Sequence, residues 1–328
     1  MPRLPNLKYP AVVLAREAMA TRFELVLPGT ETARLRAAGE EALDEIERIE
    51  SALSLYRPDS EIARVNSLAA RQPVKLSQPV FRLLQQARQL WQETRGAFDI
   101  TIAPLARCWG FLGGAGALPS PAALAEARQI VGMDLVELDD GQGTVRFQRP
   151  GVMLDLGAIG KGYAIEMAVR QLGDCGIANA LLHGGTSSVH GLGHPPDDSA
   201  WRVAIEAPAA LAGGKALPLA VAPLVNEGLS VSAVWGKSFA AGGRTYGHIL
   251  DPRSGQPADS ALLAAVVYAS DTEADALSTA LLLDGKTDHD RLAGLRPGLK
   301  TLVLEKIGAD GRPQLTTRGK MINFHPDA

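Results

Sequence analysis

The sequence predicts an α+β fold, built as one large domain or two intimate lobes. Three observations carry that expectation. Segments with helical periodicity cluster toward the front of the chain and strand-like runs toward the back. The two kinds do not alternate as the βαβ units of a doubly wound sheet would. No internal repeat divides the 328 residues, and the Gly/Pro/Ala-rich stretches at 113–122 and 207–218 read as surface loops, not linkers. Composition is that of a globular chain, 46% hydrophobic and 21% charged, with enough length to bury a sizeable core.

Taken in order, residues 22–27 alternate and stop at Pro28-Gly29, as a strand does. Residues 31–55 place Leu35, Ala38, Leu43, Ile46, Ile49 and Leu53 at helical spacing, with charges opposite. Residues 81–91 form a second amphipathic helix. Ser120 caps a third and Pro121 opens it. Strand-like runs follow at 145–147, 152–156, 180–183, 201–205, 229–233, 262–269 and 301–304, and a helix spans 272–283.

Charge and cysteine usage exclude several classes. A net charge of −3 without a basic run argues against a nucleic-acid partner. Cys108 and Cys175 are too few and too isolated for a disulfide framework or a cysteine-based zinc site. No apolar run approaches the roughly 18 residues that cross a bilayer. The N-terminal apolar segment, residues 11–15, is too short for a secretory core and runs straight into Arg16 and Glu17. The chain as written is expected to be soluble and cytoplasmic.

The most informative stretch is 152–167. An apolar run carrying Asp155 breaks at Gly157, presents Gly160-Lys161-Gly162, and continues at helical spacing through Tyr163, Ile165 and Met167. A Gly-rich turn that feeds a helix start offers free N–H groups and a favourable dipole to phosphates. Lys161 adds a point charge. A P-loop is excluded, because Gly162 follows the lysine and Asp155 stands where the first glycine belongs.

Other segments keep two readings open. Asp275 and Thr279, four residues apart, share a helix face, and such hard oxygens suit Mg²⁺ with phosphate oxygens and waters. Equally, Thr272 with Asp275 fits a capping box, and Thr279 can bond back to its own helix. His248 stands just before Asp251-Pro252-Arg253-Ser254-Gly255, a tight-turn signature. It reads as a satisfied histidine unless a phosphate site adjoins it, when it becomes a candidate base. In Gly96-Ala97-Phe98-Asp99, Phe98 suits stacking on a planar ring and Asp99 bonding to its edge, or a glycine simply ends a helix before a buried phenylalanine. Ser60 caps a short helix after the Tyr56-bearing loop, in a segment that ends at Asn66. The glycines of His183-Gly184-Gly185-Thr186 permit close approach of a ligand.

Together, in this order, these segments resemble one family, the FAD:protein FMN transferases (ApbE family). The resemblance runs from Ala18-Met19-Ala20-Thr21 to the helix around Asp275. It implies a T-fold-like domain over 16–322 with mixed or antiparallel sheets, an N-terminal extension at 1–15 and a tail at 323–328. FAD is implied in the cleft between lobes, its pyrophosphate against Mg²⁺ held by Asp275, Thr279 and the Ala158 carbonyl. Met19, Tyr56, Ala97, Phe98, Asp99, Asp155, Lys161 and Ile249 match positions that contact FAD. His248 matches a histidine near the reacting phosphate, so His248 and Asp275 are the expected catalytic pair.

The implied reaction is attack by a threonine or serine hydroxyl of an acceptor flavoprotein on the FMN-side phosphorus, with release of AMP. The alternatives are an FAD pyrophosphatase at the same site and a non-catalytic FAD-binding protein. The chain departs from the family pattern at Ala20, where glycine is usual, at Thr186, and over 231–237, which replaces a Thr-Ser-Gly run beside the cleft. Many family members are exported lipoproteins, which makes the periplasm the alternative compartment; no lipobox is visible here.

Overall fold

The structure, a computed structural model, describes residues 7–207, 218–305 and 313–323. The chain opens on a hairpin, β1 (Ala11–Ala18) and β2 (Thr21–Pro28), closed by the two-residue turn Met19-Ala20. Both turn residues sit in the left-handed region, at φ 51° and 58°, which matches the twist of a hairpin but suits glycine better than alanine. That is the physical meaning of the departure at Ala20. Residues 11–15, set apart above as an extension, are the first part of β1.

Helix α1 (Thr32–Leu53) follows, with the expected apolar face buried. Ser60 caps α2 (Glu61–Leu68), its hydroxyl accepting from the Ala63 amide at 2.9 Å. Then come β3 (Val74–Lys75), α3 (Gln78–Glu93), α4 (Ala103–Cys108) and α5 (Pro121–Arg128), the last capped by Ser120 as the sequence predicts. Strands β4 (Val136–Asp139) and β5 (Thr144–Phe147) complete a small sheet, β3-β5-β4. Helix α6 (Gly160–Asp174) leads into β6 (Ala180–Gly184) and β7 (Ser188–Leu192).

The rest is mostly strand: β8 (Trp201–Glu206), β9 (Pro218–Leu224), β10 (Glu227–Ala233) and the hairpin β11 (Ser238–Ala241) with β12 (Arg244–Gly247). After β13 (Ala261–Tyr268) come α7 (Asp271–Asp284), α8 (His289–Ala293), β14 (Lys300–Glu305), β15 (Leu315–Arg318) and β16 (Ile322–Asn323). The predicted loop at 113–122 precedes and leads into α5, whereas most of the one at 207–218 lies outside the described residues.

Eight strands form one sheet, β1-β2-β6-β7-β10-β13-β14-β15, with every neighbour antiparallel. Its centre is buried on both faces. Ala264 and Val266 of β13 join the main core with α1, α6 and α7, while Leu263, Ala265 and Val267 pack against the three-stranded sheet β16-β9-β8. Double-sided burial is why β13 reads as an unbroken apolar run where a half-exposed strand alternates.

One predicted strand is absent. Residues 152–156 are extended but join no sheet. Their ladder partners come from elsewhere. The Asn66 amide accepts from Leu154 N at 2.7 Å and donates to Leu154 O at 2.9 Å, and Asp155 N donates to the Ile100 carbonyl at 2.7 Å. A side-chain amide thus replaces a neighbouring strand and leaves the segment free to carry Asp155.

Candidate functional site

The site is built where the first turn of α6 meets α7. A side chain at Gly162 would collide with the Asp271 carbonyl and the Asp275 β-carbon. Only glycine lets the two helices approach so closely. The contact turns the Gly162 N–H onto Asp275 Oδ2 at 3.0 Å, which leaves the Ala158 carbonyl without its helical i+4 donor. Asp275 is 3% exposed; its Oδ1 accepts from the Ser230 hydroxyl at 3.1 Å and lies 3.6 Å from Lys161 Nζ.

The cap of α7 is Ser270, whose hydroxyl accepts from the Glu273 amide at 3.3 Å. The capping box considered for Thr272 and Asp275 is therefore not formed, and Asp275 stands within the helix with its carboxylate directed across to α6. Glu166 of α6 pins the same helix start, accepting from Ser270 Oγ at 2.7 Å and Thr272 N at 3.0 Å. Thr279 does not bond back to its own helix. Ser278 does that, donating to the Asp275 carbonyl at 2.9 Å, while Thr279 Oγ1 lies 3.2 Å from Ser232 Oγ on β10.

Lys161 is the hub of the remaining residues. Burial raises the Asp155 carboxyl above its ordinary range, and the Gly157 amide, 2.8 Å from Oδ1, and the Lys161 charge oppose that rise. Asp155 in turn raises the Tyr56 phenol, although burial is the larger cause, and Tyr56 stands 73% exposed. Burial lowers the His248 imidazole below 6.5, aided by the charges of Lys237 and Lys161. Asp275 thus lies beside Lys161, and Asp155 and His248 both feel its charge. His248 Nδ1 lies 3.0 Å from the Lys237 carbonyl. A carbonyl only accepts, so Nδ1 carries the proton and Nε2 keeps its lone pair.

Other sequence candidates play different parts. Phe98 and Ala97 are each 1% exposed within the main core, so Phe98 has no free ring face to stack on a ligand. The helix-ending reading holds, with Gly96 at φ 79° and Phe98 N donating to Thr94 Oγ1. Ala97 and Phe98 can offer a ligand only their backbone. Asp99 is also buried; Thr101 gives its Oδ1 two hydrogen bonds, at 2.6 and 2.8 Å, yet burial pushes its pKa up to about 6. Met19 N donates to Glu50 at 2.7 Å, and Met19 and Ile249 pack against the main core. The glycines of 184–185 serve packing, since side chains there would strike Phe23 and Thr21. Asp251 forms the expected turn, accepting from Gly255 N at 2.7 Å.

A cavity of about 550 Å³ opens between Trp91, Arg95, Asp99, Arg128 and Arg253. Lys161, His248 and Asp275 do not line it.

Among the described residues no group of three or more His, Cys, Asp or Glu is placed to hold a metal ion. The set at the α6–α7 junction is of another kind: one buried carboxylate, one hydroxyl and one carbonyl released from its helical donor. All are hard oxygens, which fit Mg²⁺ and suit zinc poorly. Sequence reasoning missed Ser230, Ser232, Ser278, Glu166 and the packing role of Gly162. The Ser-x-Ser spacing of β10 was the available signal, because i and i+2 share one face of a strand.

Fold and site together define the class: an antiparallel α+β protein with a lysine, a buried carboxylate and hydroxyls gathered at one helix N-terminus. Residues 19–303 match the ApbE family, and the chain belongs to it. It is 34% identical over 241 residues to an FAD:protein FMN transferase of Klebsiella pneumoniae, a match covering 72% of each chain. To the protein of the same name from Haemophilus influenzae it is 30% identical over 266 residues, 77% of this chain and 75% of that one.

Solved structures agree. The ApbE protein of Thermotoga maritima superposes with a TM-score of 0.82 at 25% identity, over 93% of this chain and 96% of that one. The apo flavinyl transferase ApbE of Pseudomonas stutzeri gives 0.79 at 28% identity, over 96% of both. Among the described residues no helix is long and apolar enough to cross a membrane.

Proposed function

We propose that this chain transfers the FMN moiety of FAD to a threonine or serine hydroxyl of an acceptor protein, with Mg²⁺ as cofactor and AMP as the leaving product. The observation that carries this reading is the junction itself: a buried carboxylate, Asp275, 3.6 Å from the Lys161 ammonium at the start of α6. Asp275, Thr279 and the Ala158 carbonyl are the residues that would hold the cation. Bound there, it would neutralise charge on phosphate oxygens.

The chain's own groups do the rest. Lys161 meets the pyrophosphate as a point charge. The backbone of 97–99, with Met19, Tyr56, Asp155 and Ile249, seats the dinucleotide. His248 Nε2, unprotonated near neutral pH, takes the proton from the acceptor hydroxyl as its oxygen bonds to the FMN-side phosphorus. The bond from that phosphorus to the AMP oxygen breaks, and AMP leaves. Such chemistry asks mainly for positioning and charge neutralisation.

The test is incubation with FAD, Mg²⁺ and an acceptor flavoprotein carrying a candidate threonine, followed by mass spectrometry. The expected result is an FMN adduct on the acceptor together with free AMP. FMN and AMP both free in solution would instead make the protein a hydrolase. Asp275→Ala is expected to abolish AMP release while the fold persists, because one charged ligand of the cation is gone. Full activity in a slightly destabilised Asp275→Ala would reject the metal assignment.

A further inference from the structure

The hydroxyls between β10 and α7 form a chain whose direction follows from counting protons. A serine or threonine hydroxyl has one proton to give. Ser278 Oγ lies 2.9 Å from the Asp275 carbonyl, which can only accept, and 3.4 Å from Ser230 Oγ, whose own proton goes to Asp275, so Ser278 is the donor toward both and has no proton left for Ser232. Ser278 Oγ also lies 2.8 Å from Ser232 Oγ, so Ser232 must be the donor of that bond. Ser232 is then spent, and the 3.2 Å bond between Ser232 and Thr279 must be donated by Thr279. The sequence of donation is Thr279 to Ser232 to Ser278 to the Asp275 carbonyl. Ser230, on the same face of β10, donates to Asp275 Oδ1 at 3.1 Å and accepts from Ser278 Oγ at 3.4 Å.

We infer that Ser232 is a positioning residue: by accepting the Thr279 proton it turns the lone pairs of Thr279 Oγ1 outward, as a ligand for a divalent cation must present them. This rests on the metal reading proposed above. A threonine hydroxyl is a poor cation ligand when its proton faces the ion. On an isolated helix the proton would go to the preceding turn and the rotamer would follow it. Ser232 stands in 231–237, where the chain departs from the family pattern. The departure thus keeps a hydroxyl at the position that Thr279 needs. Ser278 sits deeper, 0% exposed, whereas Ser232 is half-buried.

That difference in depth separates orientation from packing. If the hydroxyls merely fill space, Ser278→Ala should be the more harmful change. If they orient Thr279, Ser232→Ala is the more harmful, because it removes the acceptor itself; in Ser278→Ala, Ser232 can still accept from Thr279.

The experiment titrates Mn²⁺, a hard divalent probe, into the full chain with excess FAD and reads free Mn²⁺ by electron paramagnetic resonance. Ser232→Ala is expected to weaken binding roughly 10- to 100-fold, the usual effect of removing a group that orients a metal ligand. Ser232→Thr should restore affinity to near the wild-type value, and Ser278→Ala should weaken it less than Ser232→Ala while lowering Tm more. Native affinity in Ser232→Ala, or a larger loss in Ser278→Ala, overturns the inference and leaves the metal site standing. A wild-type chain that binds no Mn²⁺ overturns the metal reading and the inference together.

Discussion

The two sides of the candidate site are built by opposite means. On the α6–α7 side, Asp275 is held by a backbone amide, a serine hydroxyl and a lysine, and a glycine contact leaves no room for movement. On the other side, His248 is exposed at the end of the two-stranded hairpin β11–β12, and its ring is tied to the Lys237 carbonyl. The hairpin rests on a small aromatic cluster, Trp109, Phe111, Phe239 and Tyr246, apart from the main core. The difference matches what the proposed reaction asks of each side. A carboxylate that meets a cation and phosphates gains from being fixed beforehand. A residue that meets a protein acceptor has to stay accessible.

The comparison can be broken first at His248. His248→Ala is expected to slow transfer by roughly 10²- to 10⁴-fold with FAD affinity and Tm nearly unchanged, since an exposed side chain contributes little to the fold. The acid limb of the wild-type rate profile should lie below pH 6.5, because surrounding protein atoms desolvate the imidazolium even at this surface position and two lysine charges favour the neutral ring. Native transfer rates in the variant from pH 6 to 8 at saturating FAD would remove His248 from the mechanism.

The opposite pattern is expected at Gly162. Gly162→Ala forces a methyl group into the Asp271 carbonyl, and overpacking of this kind costs about 1–3 kcal/mol of stability. Urea denaturation should show that loss, and Mg²⁺-dependent AMP release should fall with it as the helices part. A variant as stable as the wild type would mean that the junction is looser than the contact implies.

The smallest expected effect is a change of slope. Asp99 is buried like Asp275, but its partners are the Thr101 hydroxyl and backbone amides. Its folded-state pKa, about 6, exceeds the unfolded 3.8. The folded state therefore binds the proton more tightly, and the stability this confers is present below pH 3.8 and lost as pH rises through 6. Asp99→Asn keeps the accepting oxygen and removes the titration, so unfolding free energy measured between pH 4 and 6 should fall less steeply than in the wild type. Parallel curves would show that Asp99 does not titrate in this range.

Much of this protein was determined by the sequence alone. The periodicity of α1 and α3, the serine caps of α2 and α5, and the apolar runs of β10, β13 and β14 are local signals. Each follows from residue type and spacing within one segment. The ordered motifs around Asp155, Lys161, His248 and Asp275 identified the family for the same reason. Only the tertiary structure decided what those motifs touch. Residues 152–156 look like a strand, but Asn66, some 88 positions away, takes the place of the strand's partner. Phe98, which the sequence left open between stacking and burial, is sealed in the core. Thr279 was ambiguous on its own helix until Ser232 arrived from another strand to receive its proton. Long-range hydrogen bonds and close backbone approach depend on which segments meet, and no spacing within a segment records that.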